Sequence, residues 1–169
     1  VLFGRAQIEA GADVLCIGDH ATGDLVSANC YRDFLLPVHQ ELAARLECPI
    51  ILHICGNTTN RLEHIVQTGF DAFHFDSKVD ARQATAIVAN RISLVGNVNN
   101  PETLLQGTPA DVRREVFYAA EAGVQIVGPE CAVPTITPVA NLVAVTEAAR
   151  AYSDLAGQAA AEPAGGMPA

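Results

Sequence analysis

Three residues combine types suited to metal chemistry. His53 and Cys55 are separated by one residue at the end of the apolar run PIILHI (49–54), and Cys131 closes a later run, IVGPEC (126–131). In a β-strand, residues i and i+2 point to the same face, so His53 and Cys55 project together. One imidazole and two thiolates form a nitrogen/sulfur set that suits Zn²⁺. Three protein ligands leave a fourth position open, the pattern of a catalytic rather than a structural site. Alone, a His-x-Cys in a strand is a weak signal, because cysteine is also a common core residue. Other polar residues of ligand type recur where apolar runs end: Asp19-His20, Asp76, Asn97 and Glu130. Asp19, His20, Asp76 and Asn97 are therefore candidates for substrate binding. The plainer alternatives are turn caps for Asp19 and Asp76 and a turn residue before Pro101 for Asn97. His74 shares the parity of Asp76, which leaves a pocket role open. Cys16, inside a strand, is expected in the core. Cys30 and Cys48 are expected to be structural, and His39 and His64, within helices, to be surface or hydrogen-bonded residues.

The elements that must position these residues repeat a pattern. Glu9-Ala10-Gly11, Gln67-Thr68-Gly69 and Glu121-Ala122-Gly123 each precede a short apolar run. Glycine suits the left-handed position just past a helix. Strands are predicted to start near residues 13, 49, 71, 92 and 124, with helices over 31–46, 60–67, 80–89, 108–121 and 138–155 between and after them. Thr108-Pro109-Ala110-Asp111 opens its helix with a cap, a proline at the first helical position and an acid in the first turn. Strand then helix, five times, implies a parallel sheet with continuous apolar strands. The spacing matches one βα unit of a (β/α)₈ TIM barrel. A doubly wound open sheet is the alternative, disfavoured because no G-x-G-x-x-G follows the first strand. Five units starting mid-helix are expected to be strands four to eight of such a barrel, over residues 1–156. Residues 157–169 (GQAAAEPAGGMPA) read as a linker or tail.

Charge and composition exclude other classes. Half of the 169 residues are apolar, so a sizeable core is expected, and 10 Lys and Arg face 19 Asp and Glu, a net charge of −9. That surplus of acid argues against nucleic acid and anionic membrane surfaces as partners. No stretch of about 20 apolar residues could span a bilayer. Five irregularly spaced cysteines do not resemble a disulfide framework, and a reducing cytoplasm is the expected location.

The segments HICGNTTNRLEHIVQTGFDAFHFDSKVD (53–80), GNVNNPETLLQGTPADV (96–112) and GPECAVPTITPVANL (128–142) resemble the uroporphyrinogen-decarboxylase superfamily. More narrowly, they resemble its corrinoid-dependent methyltransferase branch, which includes methylcobalamin:coenzyme M methyltransferases and the bacterial chloromethane methyltransferase. The resemblance covers the chain to about Leu155. It implies a zinc methyltransferase on a TIM barrel, with a corrinoid (cobalamin) as methyl carrier. Its zinc ligands, a His-x-Cys pair and a distant Cys, match His53, Cys55 and Cys131. The implied partners are a corrinoid protein or fused corrinoid-binding domain and a small methyl donor or thiol acceptor. The Ala/Gly/Pro tail and the DHATGDLVS segment (19–27) lean toward the chloromethane type. The decarboxylase itself is the alternative. It carries a Gly-His-Gly type segment in place of Glu130-Cys131-Ala132 and lacks the His-x-Cys pair. A βα module with core cysteines and no catalysis is the third reading.

Overall fold

The computed structural model describes residues 1–161, and the last eight residues of the expected tail lie outside them. Five parallel strands lie in the order β1-β2-β3-β4-β5: β1 (Leu15–Asp19), β2 (Ile50–Ile54), β3 (Ala72–Phe75), β4 (Ser93–Val98) and β5 (Ile126–Pro129). Each strand pairs with the next in sequence, and the helices between them make the crossovers that parallel strands require. Helix α1 (Leu2–Glu9) precedes β1. Helix α2 (Ala28–Cys30) widens into a π-helical turn over Tyr31–Leu35 before α3 (Leu36–Arg45), and the Leu36 N–H reaches back five residues to the Tyr31 carbonyl. The widening coincides with Pro37, which has no N–H to continue a regular ladder. A 3₁₀ turn (Thr59–Arg61) leads into α4 (Leu62–Ile65), and α5 (Ala81–Val88), α6 (Pro109–Glu121) and α7 (Val139–Ala161) follow the later strands.

The expected start and stop signals operate. Thr108 and Asp111 form a reciprocal capping box at α6. Gly11, Gly69 and Gly123 all have positive φ, which turns the chain from helix toward strand. Helix α7 runs past Leu155 to Ala161, so residues 157–161, expected in the tail, are helical. The Ala-rich stretch has the strongest helix propensity of any residue type, and composition alone misread it.

The two faces of the sheet differ. Leu52, Ile54, Phe73, Phe75 and Leu94 are fully buried on the helix-facing side, packed in one cluster with Leu62, Ile65 and Val88. Each such side chain contributes about 1.5–3 kcal/mol by leaving water. A second cluster joins Val98 and Leu104 to Val112 and Val116 of α6 and to Ala144 and Ala148 of α7. The opposite face carries the alternate residues. Cys16, expected in the core, is exposed on it. Its partner in register is Ile51, two residues before His53, so strand parity turns Cys16 away from the helices. No helix among the described residues is long and apolar enough to cross a membrane.

Candidate metal centre

The register carries one layer of residues across the open face. Gly18 pairs with His53, His53 with His74, His74 with Val95 and Val95 with Ile126. Paired residues of parallel strands point the same way, so His53 and His74 share that face, and their rings lie 4.4 Å apart. Two residues further along, at the C-terminal rim, come His20, Cys55, Asp76 and Asn97.

His53, Cys55 and Cys131 meet there. His53 Nε2 lies 3.0 Å from Cys55 Sγ and 3.3 Å from Cys131 Sγ, and the two sulfurs are 2.9 Å apart. All three side chains are half-buried, and they form a His/Cys cluster able to hold a metal ion. The donors come from β2, the turn after it and the end of β5, 78 residues apart in sequence. A tetrahedral zinc, with bonds of about 2.3 Å to sulfur and about 2.0–2.1 Å to nitrogen, sets its ligands about 3.5–3.8 Å apart. The three atoms lie inside that spacing, by the most at the sulfur pair, so the sulfurs would have to part to admit the ion. By the type of its donors the set fits zinc.

Neighbouring groups orient the triangle. His53 Nδ1 donates to the His74 carbonyl at 3.2 Å, which leaves the Nε2 lone pair aimed at the sulfurs. Burial and the neighbouring His74 lower the His53 pKa, which favours the neutral imidazole that binds metals. Burial and the adjacent Cys131 thiol push Cys55 up to about 12. A divalent cation on the sulfurs reverses that balance and favours thiolate. Asp76 accepts from the Gly56 N–H at 2.7 Å and the Lys78 N–H at 2.9 Å, tying the Cys55 turn to the β3 loop.

The other candidates are placed variously. His20 is exposed at the rim, close enough to bear on the charge of His53. Asn97 donates to the Val79 carbonyl at 2.9 Å and lines a separate cleft of about 230 Å³ with Ser77, Asn99 and Glu115. Asp19 faces the helices. It accepts from the Ala21 N–H at 2.8 Å and pairs with His39 Nε2 at 3.0 Å, and His39 Nδ1 in turn meets the Tyr31 hydroxyl at 3.0 Å. The structure thus keeps Asp19 apart from the sulfur triangle and uses it as a cap.

Two supporting residues lie outside the substrate-binding candidates: Glu130, noted in the sequence only as a polar strand-end residue, and Asn100, which no sequence signal marked. Glu130 is 5% exposed, and its carboxylate accepts from the N–H groups of Ser77 and Asn100, both at 2.8 Å. Asn100 donates its amide to the Ala132 carbonyl at 2.9 Å, so Cys131 is pinned on both sides. The acid directly before the cysteine in GPEC was the available signal.

A family model for uroporphyrinogen decarboxylase (URO-D) matches residues 1–152. The chain belongs to the URO-D family. It is 36% identical over 151 residues to the methylated-thiol–coenzyme M methyltransferase of Methanosarcina mazei, covering 89% of this chain and 41% of that one. It is 33% identical over 154 residues to the methylcobamide:CoM methyltransferase MtaA of Methanosarcina barkeri, covering 90% and 45%. A solved methyltransferase from Methanosarcina mazei superposes with a TM-score of 0.87 at 32% identity, covering 90% of this chain and 46% of that one. The expected resemblance to the methyltransferase branch of the family therefore holds. The five βα units correspond to part of a TIM-barrel methyltransferase, and the chain spans under half the length of these relatives.

Proposed function

We propose that this URO-D family chain carries the zinc half of a corrinoid-dependent methyl-transfer site. The observation that carries the reading is the convergence of His53 Nε2, Cys55 Sγ and Cys131 Sγ to within 2.9–3.3 Å at the strand ends. Those three residues would hold the ion. Bound zinc supplies the charge that keeps a substrate thiol ionised at neutral pH. The three side chains are half-buried at the rim, so a thiol from solvent could reach an ion held there. His53, fixed by its bond to the His74 carbonyl, orients the triangle. Glu130 and Asn100 hold Cys131 in place, and Asp76 holds the Cys55 turn. The exposed imidazole of His20 borders the approach and is proposed to contact substrate, whereas Asn97 faces the separate cleft and is not placed on that approach. Positioning of thiol and methyl group is then the chain's main contribution.

The names of the relatives favour a thiol acceptor and a methylated corrinoid donor over methyl transfer from chloromethane. The proposed partners are accordingly a corrinoid protein or corrinoid-binding domain and a small thiol, in a reducing cytoplasm that keeps the five free cysteines reduced.

The test is metal analysis of the native protein with Cys55→Ser, Cys131→Ser and the double variant, alongside thiol methylation by methylcobalamin. About one zinc per chain, lost with either sulfur, is expected for a three-ligand site. Full zinc in the double variant overturns the ligand assignment. Conversion of uroporphyrinogen to coproporphyrinogen, with no thiol methylation, overturns the reaction.

A further inference from the structure

Among the described residues, Arg61 is the largest fully buried side chain, 0% exposed, and no carboxylate lies within salt-bridge distance of it. A buried cation without an ion-pair partner is costly unless its donors are otherwise filled. Backbone carbonyls fill them here. One terminal nitrogen donates to the Ala21 carbonyl, the other to the Val26 carbonyl at 2.6 Å, and Nε donates to Asn60 Oδ1 at 3.2 Å. Both carbonyls belong to the loop between β1 and α2 (20–27), which begins with His20. Its planar fork suits two acceptors at once, as a lysine ammonium does not.

That same loop lies on the turn that carries Cys55. The Gly23 N–H donates to the Asn57 carbonyl at 2.9 Å. A Cβ on Gly23 would stand 2.5 Å from that carbonyl oxygen, and a Cβ on Gly56 would overlap the Thr22 hydroxyl. The two backbones therefore touch through glycines on both sides, and Arg61, in the 3₁₀ turn following Cys55-Gly56-Asn57, ties the far side of the contact down.

We infer that Arg61 is a positioning residue, whose buried fork latches loop 20–27 onto the Cys55–Asn57 turn and so fixes Cys55 and His20 at the mouth. The inference rests on the reading of His53, Cys55 and Cys131 as the reactive centre. Its readout, thiol accessibility in the protein after chelation of any bound metal, requires neither zinc nor methyl transfer, so the two can fail separately. Cys131 hangs from β5 through Glu130 and Asn100 and is independent of the latch. Loss of the latch must therefore loosen one sulfur of the triangle and spare the other, which a general loss of stability would not do.

The experiment is site-resolved alkylation by iodoacetamide, followed by mass spectrometry, on the full protein cleared of bound metal with a chelator and held at fixed pH. Arg61→Lys and Arg61→Met are compared with Val88→Ala, a remote core change in α5. Local opening of the turn should speed Cys55 alkylation about tenfold in the Arg61 variants and Cys131 alkylation less than about threefold. Val88→Ala should move both sulfurs together or neither. Gly23→Ala breaks the latch from its other side and should reproduce the Cys55-selective change, carrying the test if the Arg61 variants do not fold. Equal acceleration of both cysteines, or no change at Cys55 in the foldable latch variants, overturns the inference.

Discussion

Substituting Gly56 by alanine tests the geometry beside Cys55 quantitatively. Gly56 has φ +78°, in the left-handed region, and a Cβ there would overlap Thr22 Oγ1 and lie 3.3 Å from Thr22 Cβ. The backbone conformation alone costs an alanine about 1–2 kcal/mol. Forcing a methyl against Thr22 adds about 1–3 kcal/mol of overpacking. Gly56→Ala should therefore destabilise by about 2–5 kcal/mol in total. Thr22→Ala removes the overlapping hydroxyl and leaves only the ordinary-to-tight Cβ contact. The Thr22 hydroxyl is itself buried without a hydrogen-bond partner among the described residues, so its loss costs little. In the Thr22→Ala background the Gly56→Ala cost should fall to the backbone share, about 1–2 kcal/mol. The predicted coupling, about 1–3 kcal/mol, exceeds the roughly 0.3–0.5 kcal/mol scatter of independent sites. Urea unfolding of the four proteins, followed by circular dichroism and checked for an unchanged slope, measures it. A coupling below about 0.5 kcal/mol would refute the close approach of loop 20–27 to the Cys55 turn.

Two further outcomes follow from the histidines. Burial lowers the His39 pKa below the ordinary imidazole value. As pH falls, the unfolded chain binds that proton first, so the stability present above about pH 6.5 is lost as pH falls toward the lower folded value. The limiting slope is about 1.4 kcal/mol per pH unit, and His39→Gln should remove it. Equal slopes for both proteins in urea titrations from pH 7 to 5.5 would contradict this. His74→Phe keeps an aromatic ring, somewhat larger, but loses the 2.8 Å bond from His74 Nε2 to the Pro129 carbonyl, just before Glu130 and Cys131. Zinc affinity in chelator competition should drop about tenfold, and an unchanged affinity would show that the bond does not hold the triangle.

The legible part of the site was the part governed by strand parity. His53 and Cys55 are two apart, and nothing but a strand was needed to put them on one face. The same rule separates Asp19 from His20, since neighbours on a strand point to opposite faces, and Asp19 duly meets His39 in the helix layer. Cys16 shares parity with Gly18, the partner of His53, and so falls on the open face. Reading its apolar surroundings as core ignored which face that parity selects. Arg61 was illegible for a different reason. A lone cation within NTTNRLEH reads as an exposed helix residue, and its burial depends on carbonyls 35 and 40 residues earlier. Only the fold brings those carbonyls to it.

The curl of the sheet contributes to the triangle alongside the loops that carry the two sulfurs. His53 donates to the backbone of β3, and His74 of β3 donates over β4 to the backbone of β5. The reach across β4 passes Gly96, where a Cβ would sit 3.5 Å from the His74 ring and 2.7 Å from the Phe75 carbonyl oxygen. A Cβ at Gly96 would clash with the Phe75 carbonyl and close the space beside the His74 ring. Two imidazoles in series thus connect the strand bearing His53 to the strand bearing Cys131, each spending one N–H on a carbonyl. The tautomer this assigns leaves the His53 lone pair on the side of the sulfurs. The backbone of the strands consequently selects the tautomer of the neutral His53 ring that leaves Nε2 free to act as a ligand.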